Sequence, residues 1–165
     1  MSTKGIGMSQ KMTKWGVGPK FLLLSLAYSL LPAGLTMLWP TLFRIPFVPQ
    51  PMLVIVGSII IAGGFIFYIS ALVTVMRAFS KGRLVTSGPF KGCRHPIYSA
   101  WALFIVPGIM LIINSWIGLS IPFVMCALIQ LLSGHEERYL EATFGEAYLH
   151  YKAKTPAILP LGWFR

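Results

Sequence analysis

Four stretches of this chain carry no charged residue and are each long enough to cross a lipid bilayer: Phe21 to Trp39, Met52 to Met76, Ile97 to Ile113 and Trp116 to Ser133. At a rise of 1.5 Å per residue the first reaches roughly 28 Å, close to the thickness of a hydrocarbon core. A soluble fold has no way to bury so much uninterrupted apolar surface. With 56% of residues hydrophobic and 11% charged, the rest of the sequence offers little polar surface to offset it. The pattern predicts an all-α integral membrane protein with four transmembrane helices. Residues 1–20 read as a flexible basic arm and 21–165 as a single domain. A cleaved leader is not expected, because no A-x-A site follows the first run and further spans do.

The connections sharpen this picture. Pro32 should kink the first span, and Pro40, Pro46, Pro49 and Pro51 break the chain before the second. Gly57, Gly63 and Gly64 should let a neighbouring helix approach the second span closely. Only Asn114 and Ser115 part the last two runs, which predicts a helical hairpin. Beyond it, Leu140, Phe144, Ala147, Tyr148 and Tyr151 recur at helical intervals over 136–151, as in an amphipathic helix lying on the membrane face, ended by Pro156 and Pro160.

The net charge of +10 comes from 14 Lys plus Arg against 4 acidic residues. Lysines 4, 11, 14 and 20, the connection from Arg77 to Arg94, and the tail fall at one set of span ends, with Arg44 at the other. This places both termini in the cytoplasm. The basic excess is thus a topological signal, and a nucleic-acid partner is not expected. Cys93 and Cys126 form no metal-binding or disulfide pattern, so no metal is expected. Cys126 should pack as a small hydrophobe, while Cys93, beside Arg94, is a candidate for mild activation.

The chain has no Asp, and its four Glu residues, Glu136, Glu137, Glu141 and Glu146, lie within eleven positions. His95 and His135 each stand about twenty residues from the hairpin turn. Folding the hairpin should therefore carry Arg94 and His95 to Glu136 and Glu137 at one membrane face, a natural place for a polar pocket open to lipid. The plainer reading is that such juxtamembrane groups cap helices and form weak exposed pairs. His95 before Pro96 could start a helix, and Tyr98, Trp101, Tyr148 and Tyr151 could be interfacial aromatics.

Their order in the chain tells more. L-V-T-S-G-P-F from Leu84 and R-H-P-I-Y-S-A-W from Arg94 are followed by E-E-R-Y-L at Glu136 and F-G-E-A-Y-L-H-Y at Phe144. Over roughly residues 80 to 162 this resembles the isoprenylcysteine carboxyl methyltransferase family, within a wider group of phospholipid methyltransferases. The resemblance implies a membrane enzyme binding S-adenosylmethionine near the cytosolic face and admitting a lipophilic acceptor from the bilayer. By matching position, Arg83, Leu84, Val85, Phe90, His95, Pro96, Ile97, Tyr98 and Glu136 would contact the cofactor. No glycine fingerprint of a dinucleotide-type fold is present.

A carboxylate acceptor would need only a cation to orient it, with Arg94 and Arg138 the local candidates. An amine would need Glu137 or His135 to keep it unprotonated. Eukaryotic members carry a substrate-associated arginine four residues before the cofactor glutamate, where this chain has Leu132. The expected reaction is methyl transfer to the carboxylate of an isoprenylated cysteine. The alternatives are a phospholipid or other hydrophobic acceptor, a nicotinamide-dependent membrane reductase, and a non-enzymatic scaffold. The expected location is a bacterial inner membrane or a eukaryotic endoplasmic reticulum, with membrane lipids as partners.

Overall fold

The computed structural model describes residues 17–79 and 84–159. Among them every regular element is helical. Most of the basic arm, with Lys81, Arg83 and Pro160, lies outside the described residues.

The first span, α1 (Gly18–Leu38), starts a few residues before the apolar run because Pro19 suits a first helical turn, where no amide is needed. It continues unbroken through the buried Pro32. Its leucines face outward, as they should toward lipid, while Phe21, Ser25 and Pro32 form a narrow buried stripe. A short helix, α2 (Pro40–Phe43), turns the chain toward the hairpin tip, where the Phe43 ring packs on Trp116 at 5.5 Å. The second span, α3 (Gln50–Phe79), is longer than its apolar run.

Two of the three glycines expected to permit close approach do so. A Cβ at Gly57 would come within 2.6 Å of the Gly108 carbonyl oxygen, and one at Gly64 within 2.6 Å of the Phe104 side chain. Gly63 is a correction: a Cβ there meets nothing within 4 Å, because it points away from the helix contact.

After α4 (Pro89–Gly92), which the sequence did not suggest, comes the third span. It is a rod of α5 (Pro96–Ala100), a π-helical turn (Trp101–Ile105) and α6 (Val106–Ile113). The wide turn ends one residue short of Pro107, which lacks the amide proton for a regular i→i−4 bond. Asn114 then adopts a left-handed backbone, φ 59°. Its side chain accepts from the Ile45 amide at 2.8 Å and donates to Gln50 at 2.7 Å, tying the tip to the α2–α3 connection. The return arm is a 3₁₀ turn (Ile117–Leu119) and α7 (Ser120–Leu132).

Among the described residues three helices, α1, α3 and the α5–α6 rod, are long and apolar enough to cross a membrane; the return arm qualifies only together with the next helix, α8 (Gly134–Phe144), against which it bends by 40°. The tail expected as one helix over 136–151 is two, α8 and α9 (Glu146–Lys154), because Gly145 takes a positive φ of 53° between them. Past α9 the chain turns back, and Ile158 enters the core formed by Phe21, Ala102, Ile121, Met125 and Ile129.

Candidate active site

His95 precedes Pro96, whose ring opens α5 without an amide to satisfy. The backbone around it is held from an unexpected direction. The returning tail accepts hydrogen bonds from the Arg94 amide (Pro156 O, 2.8 Å), the His95 amide (Ala157 O, 3.0 Å) and the Ser99 hydroxyl (Ile158 O, 2.8 Å). The first turn of α5 is thereby strapped to the C-terminal segment.

The hairpin closes as its symmetric arms require and brings the two motifs together. Arg94 donates from Nε and Nη2 to Glu137 Oε1 at 3.1 and 2.8 Å. Its Nη1 donates to the carbonyls of Lys152 (3.1 Å) and Thr155 (2.6 Å). Lys152 Nζ lies 3.1 Å from Glu137 Oε2 and 2.6 Å from Glu141. The buried His95 ring presents Nε2 to Glu137 at 3.4 Å and Nδ1 to Glu136 at 3.9 Å.

These contacts make Glu137 a fixed anion. Its pKa is pulled down to about 2, first by the hydrogen bond with His95, against the opposing effect of burial, and further by Arg94 and Lys152. A carboxylate so held is a poor general base near neutral pH. Arg94 likewise has its guanidinium engaged on Glu137 and two carbonyls, so it acts as a brace between α5, α8 and α9. Lys152, whose pKa is raised by its bonds to Glu141 and Glu137, completes that brace.

Glu136 is in different circumstances. One oxygen accepts from the Val17 amide at 2.9 Å, and the carboxylate also faces the Tyr98 hydroxyl. Val17, Phe21, Tyr98, Ile129, Leu132 and Ser133 line a gap beside it that is too tight to admit a water molecule. Phe21 stacks obliquely on Tyr98 at 5.0 Å, and Tyr98 lies 6.2 Å from the His95 ring. The result is a carboxylate, an imidazole and aromatic faces at one mouth of the bundle, with the first turn of α1 closed over them.

The other expected residues are distributed around this centre. Pro96 is buried and Ile97 half-buried in the first turn of α5. Phe90 is half-buried, and its carbonyl accepts from the Tyr151 hydroxyl at 2.6 Å. Leu84 and Val85 are half-buried in the connection before α4. Arg138 is exposed and its Nε donates to the Gly134 carbonyl of its own helix, so it does not join the cluster. His135 is exposed as well. Cys93 is corrected: it is fully buried, and burial raises its thiol to about 11, the opposite of activation.

Sequence reasoning missed Lys152, Thr155 and Val17. The first two belong to an ordinary-looking K-x-x-T past the tyrosines, and Val17 contributes only a backbone amide, which leaves no signature. Tyr148 was noted as a belt residue, yet it is buried, its hydroxyl has no partner among the described residues, and burial raises it to about 12.

Comparison with known proteins adds a separate line of information. The sequence model of the phospholipid methyltransferase family matches residues 50–147. Protein-S-isoprenylcysteine O-methyltransferase of Mus musculus is 34% identical over 77 residues, 47% of this chain and 27% of that protein; the Homo sapiens protein gives the same figures. Protein-S-isoprenylcysteine O-methyltransferase B of Arabidopsis thaliana is 26% identical over 100 residues, 55% of this chain and 51% of its own length. The chain thus spans between a quarter and about half the length of these relatives. No solved structure matches it.

Proposed function

This chain belongs to the phospholipid methyltransferase family, and on that premise we propose that it transfers a methyl group from S-adenosylmethionine to a lipophilic acceptor, with the carboxylate of an isoprenylated cysteine as the leading acceptor. The observation that carries this reading is the meeting of His95 with Glu136 and Glu137 across the hairpin, inside the segment the family shares.

The residues fit the proposed methyl donor. Glu136 offers oxygens that already accept a hydrogen bond and suit a ribose diol, and Phe21 and Tyr98 offer aromatic faces to a sulfonium. When bound, the cofactor supplies an electrophilic methyl: the acceptor oxygen forms the new bond to carbon while the carbon–sulfur bond breaks and its electron pair returns to sulfur. The chain's own residues align and desolvate. The Arg94–Glu137–Lys152 brace fixes α5 against α8 and α9, so that His95 and Glu136 hold one relative geometry. Leu132, Ile129 and Phe21 give the mouth an apolar wall that excludes water from the acceptor. The gap beside Glu136 is closed in this structure, and the Val17 amide holds one of the Glu136 oxygens that would meet the ribose diol.

The state of Glu137 favours an acceptor that needs no base. A carboxylate is ionised near neutral pH, whereas an amine would call on a group Glu137 cannot supply while braced. Arg138, exposed as it is, would orient an anionic acceptor only from outside the cluster.

The test is a titration of the purified protein with S-adenosylhomocysteine, read by thermal unfolding in detergent, followed by radiolabelled transfer to a farnesylated cysteine analogue and to phosphatidylethanolamine. Stabilisation by mass action is expected, weakened about tenfold or more in apparent affinity by Glu136→Gln, with label in the cysteine analogue. Label in phosphatidylethanolamine instead would move the acceptor to the amine class. Stabilisation by NADPH and not by S-adenosylhomocysteine would replace methyl transfer by reduction.

A further inference from the structure

Helix α9 has two working faces. Tyr148 and Lys152 point toward the Arg94–Glu137 brace, whereas Ala147, His150, Tyr151 and Lys154, at helical spacing, line a groove of about 560 Å³ whose remaining wall is Thr86, Lys91, Ala153 and Thr155. Lys91 and Lys154 are exposed and make no ion pair with any described carboxylate. Three of the chain's four acidic residues are committed elsewhere. Glu136 is held by Val17 and His95, Glu137 and Glu141 by the brace, and Glu146 is absent from the lining. The groove therefore concentrates positive charge with no internal counter-ion, and the methyl-transfer reading makes no use of it.

We propose that this groove binds the phosphodiester headgroup of an anionic phospholipid. Its place in the fold favours a lipid over a soluble anion. One wall, Thr86 and Lys91, belongs to the connection between the end of α3 and the start of α5, where two membrane-length helices meet the polar region, and Leu149, next to His150 on α9, is exposed. The two ammonium groups attract a phosphate, and the Thr86 hydroxyl can donate to its oxygens. Each juxtamembrane lysine is worth roughly fivefold in affinity for an anionic surface, so losing both should be felt strongly.

The experiment is native mass spectrometry of the full chain released from micelles doped equally with dioleoylphosphatidylglycerol and dioleoylphosphatidylcholine, with S-adenosylhomocysteine affinity measured alongside. Retention of phosphatidylglycerol about tenfold over phosphatidylcholine is expected, falling to parity in Lys91→Gln/Lys154→Gln and kept in Lys91→Arg/Lys154→Arg. Unchanged S-adenosylhomocysteine affinity in both variants is also expected, because the groove and the Glu136 mouth are separate. Undiminished retention in the Gln variant overturns the proposal. So does displacement of the lipid by millimolar glycerol 3-phosphate, which would mark a soluble-anion site, or by S-adenosylhomocysteine, which would assign the groove to the methyl donor. A failure of the methyl-transfer reading would show in the titration with S-adenosylhomocysteine and leave lipid retention unaffected.

Discussion

Glu137 gathers an imidazole, a guanidinium and an ammonium around its two oxygens, while Glu136, one residue earlier, holds a backbone amide and faces a phenol. The adjacent side chains diverge because successive residues on a helix point about 100° apart. Their substitution should separate accordingly. Glu137→Gln leaves Arg94 without its anion and Lys152 with Glu141 alone, and should lower stability by about 2–4 kcal/mol, whereas Glu136→Gln should cost under about 1 kcal/mol and act on ligand affinity instead. The acid limb of stability tests the same assignment. Because the folded pKa of Glu137 lies below its ordinary 4.5, the stability it confers is fully present above that value and is lost as pH falls from there toward about 2. The loss should be on the order of 3 kcal/mol. Thermal unfolding in detergent from pH 6 to pH 3 should show a steeper decline in the native protein than in Glu137→Gln; parallel curves would count against the brace.

Among the elements, α3 reads as one uniform apolar helix, but its glycines do different things. Gly57 and Gly64 let the α5–α6 rod lie against its backbone, so Gly57→Ala should force the helices apart and cost about 1–3 kcal/mol. Gly63 lines an open groove of about 540 Å³ with Ile66, Phe67, Ser70, Gly88 and Pro89, where alanine has room. Gly63→Ala should be neutral or stabilise by up to about 1 kcal/mol through helix propensity. Denaturation of the two variants side by side in one detergent checks the contrast, and equal destabilisation would reject it. A spacing of glycines announces that a helix can be approached, but which ones are approached depends on the rotation of α3 about its axis. That rotation is fixed only when Gly108 and Phe104 pack against it. In the same way the tail's apolar periodicity implied helix and could not show that Gly145 would divide it.

For the whole molecule, both arms of the hairpin end where the basic connections lie, and Arg44 and Phe47 lie near its tip. Single cysteines placed at 91 and 154 in a cysteine-free background should therefore label from the same side of intact vesicles, and a cysteine at 47 from the opposite side. Labelling of 91 and 47 together from one side would require the rod to re-enter the membrane rather than cross it.

The sequence by itself determined the membrane class, the helical content, the hairpin and the meeting of Arg94 and His95 with Glu136 and Glu137. All of these follow from local quantities: apolar run length, turn position and the fixed rise of a helix. Only the tertiary structure decided that Glu137 is braced and Glu136 approachable, that Arg138 faces away, and that Val17 and the Pro156–Ile158 segment close over the site. Those outcomes rest on backbone amides and carbonyls, which every residue carries alike, and on the rotation of packed helices, which no single stretch of sequence encodes.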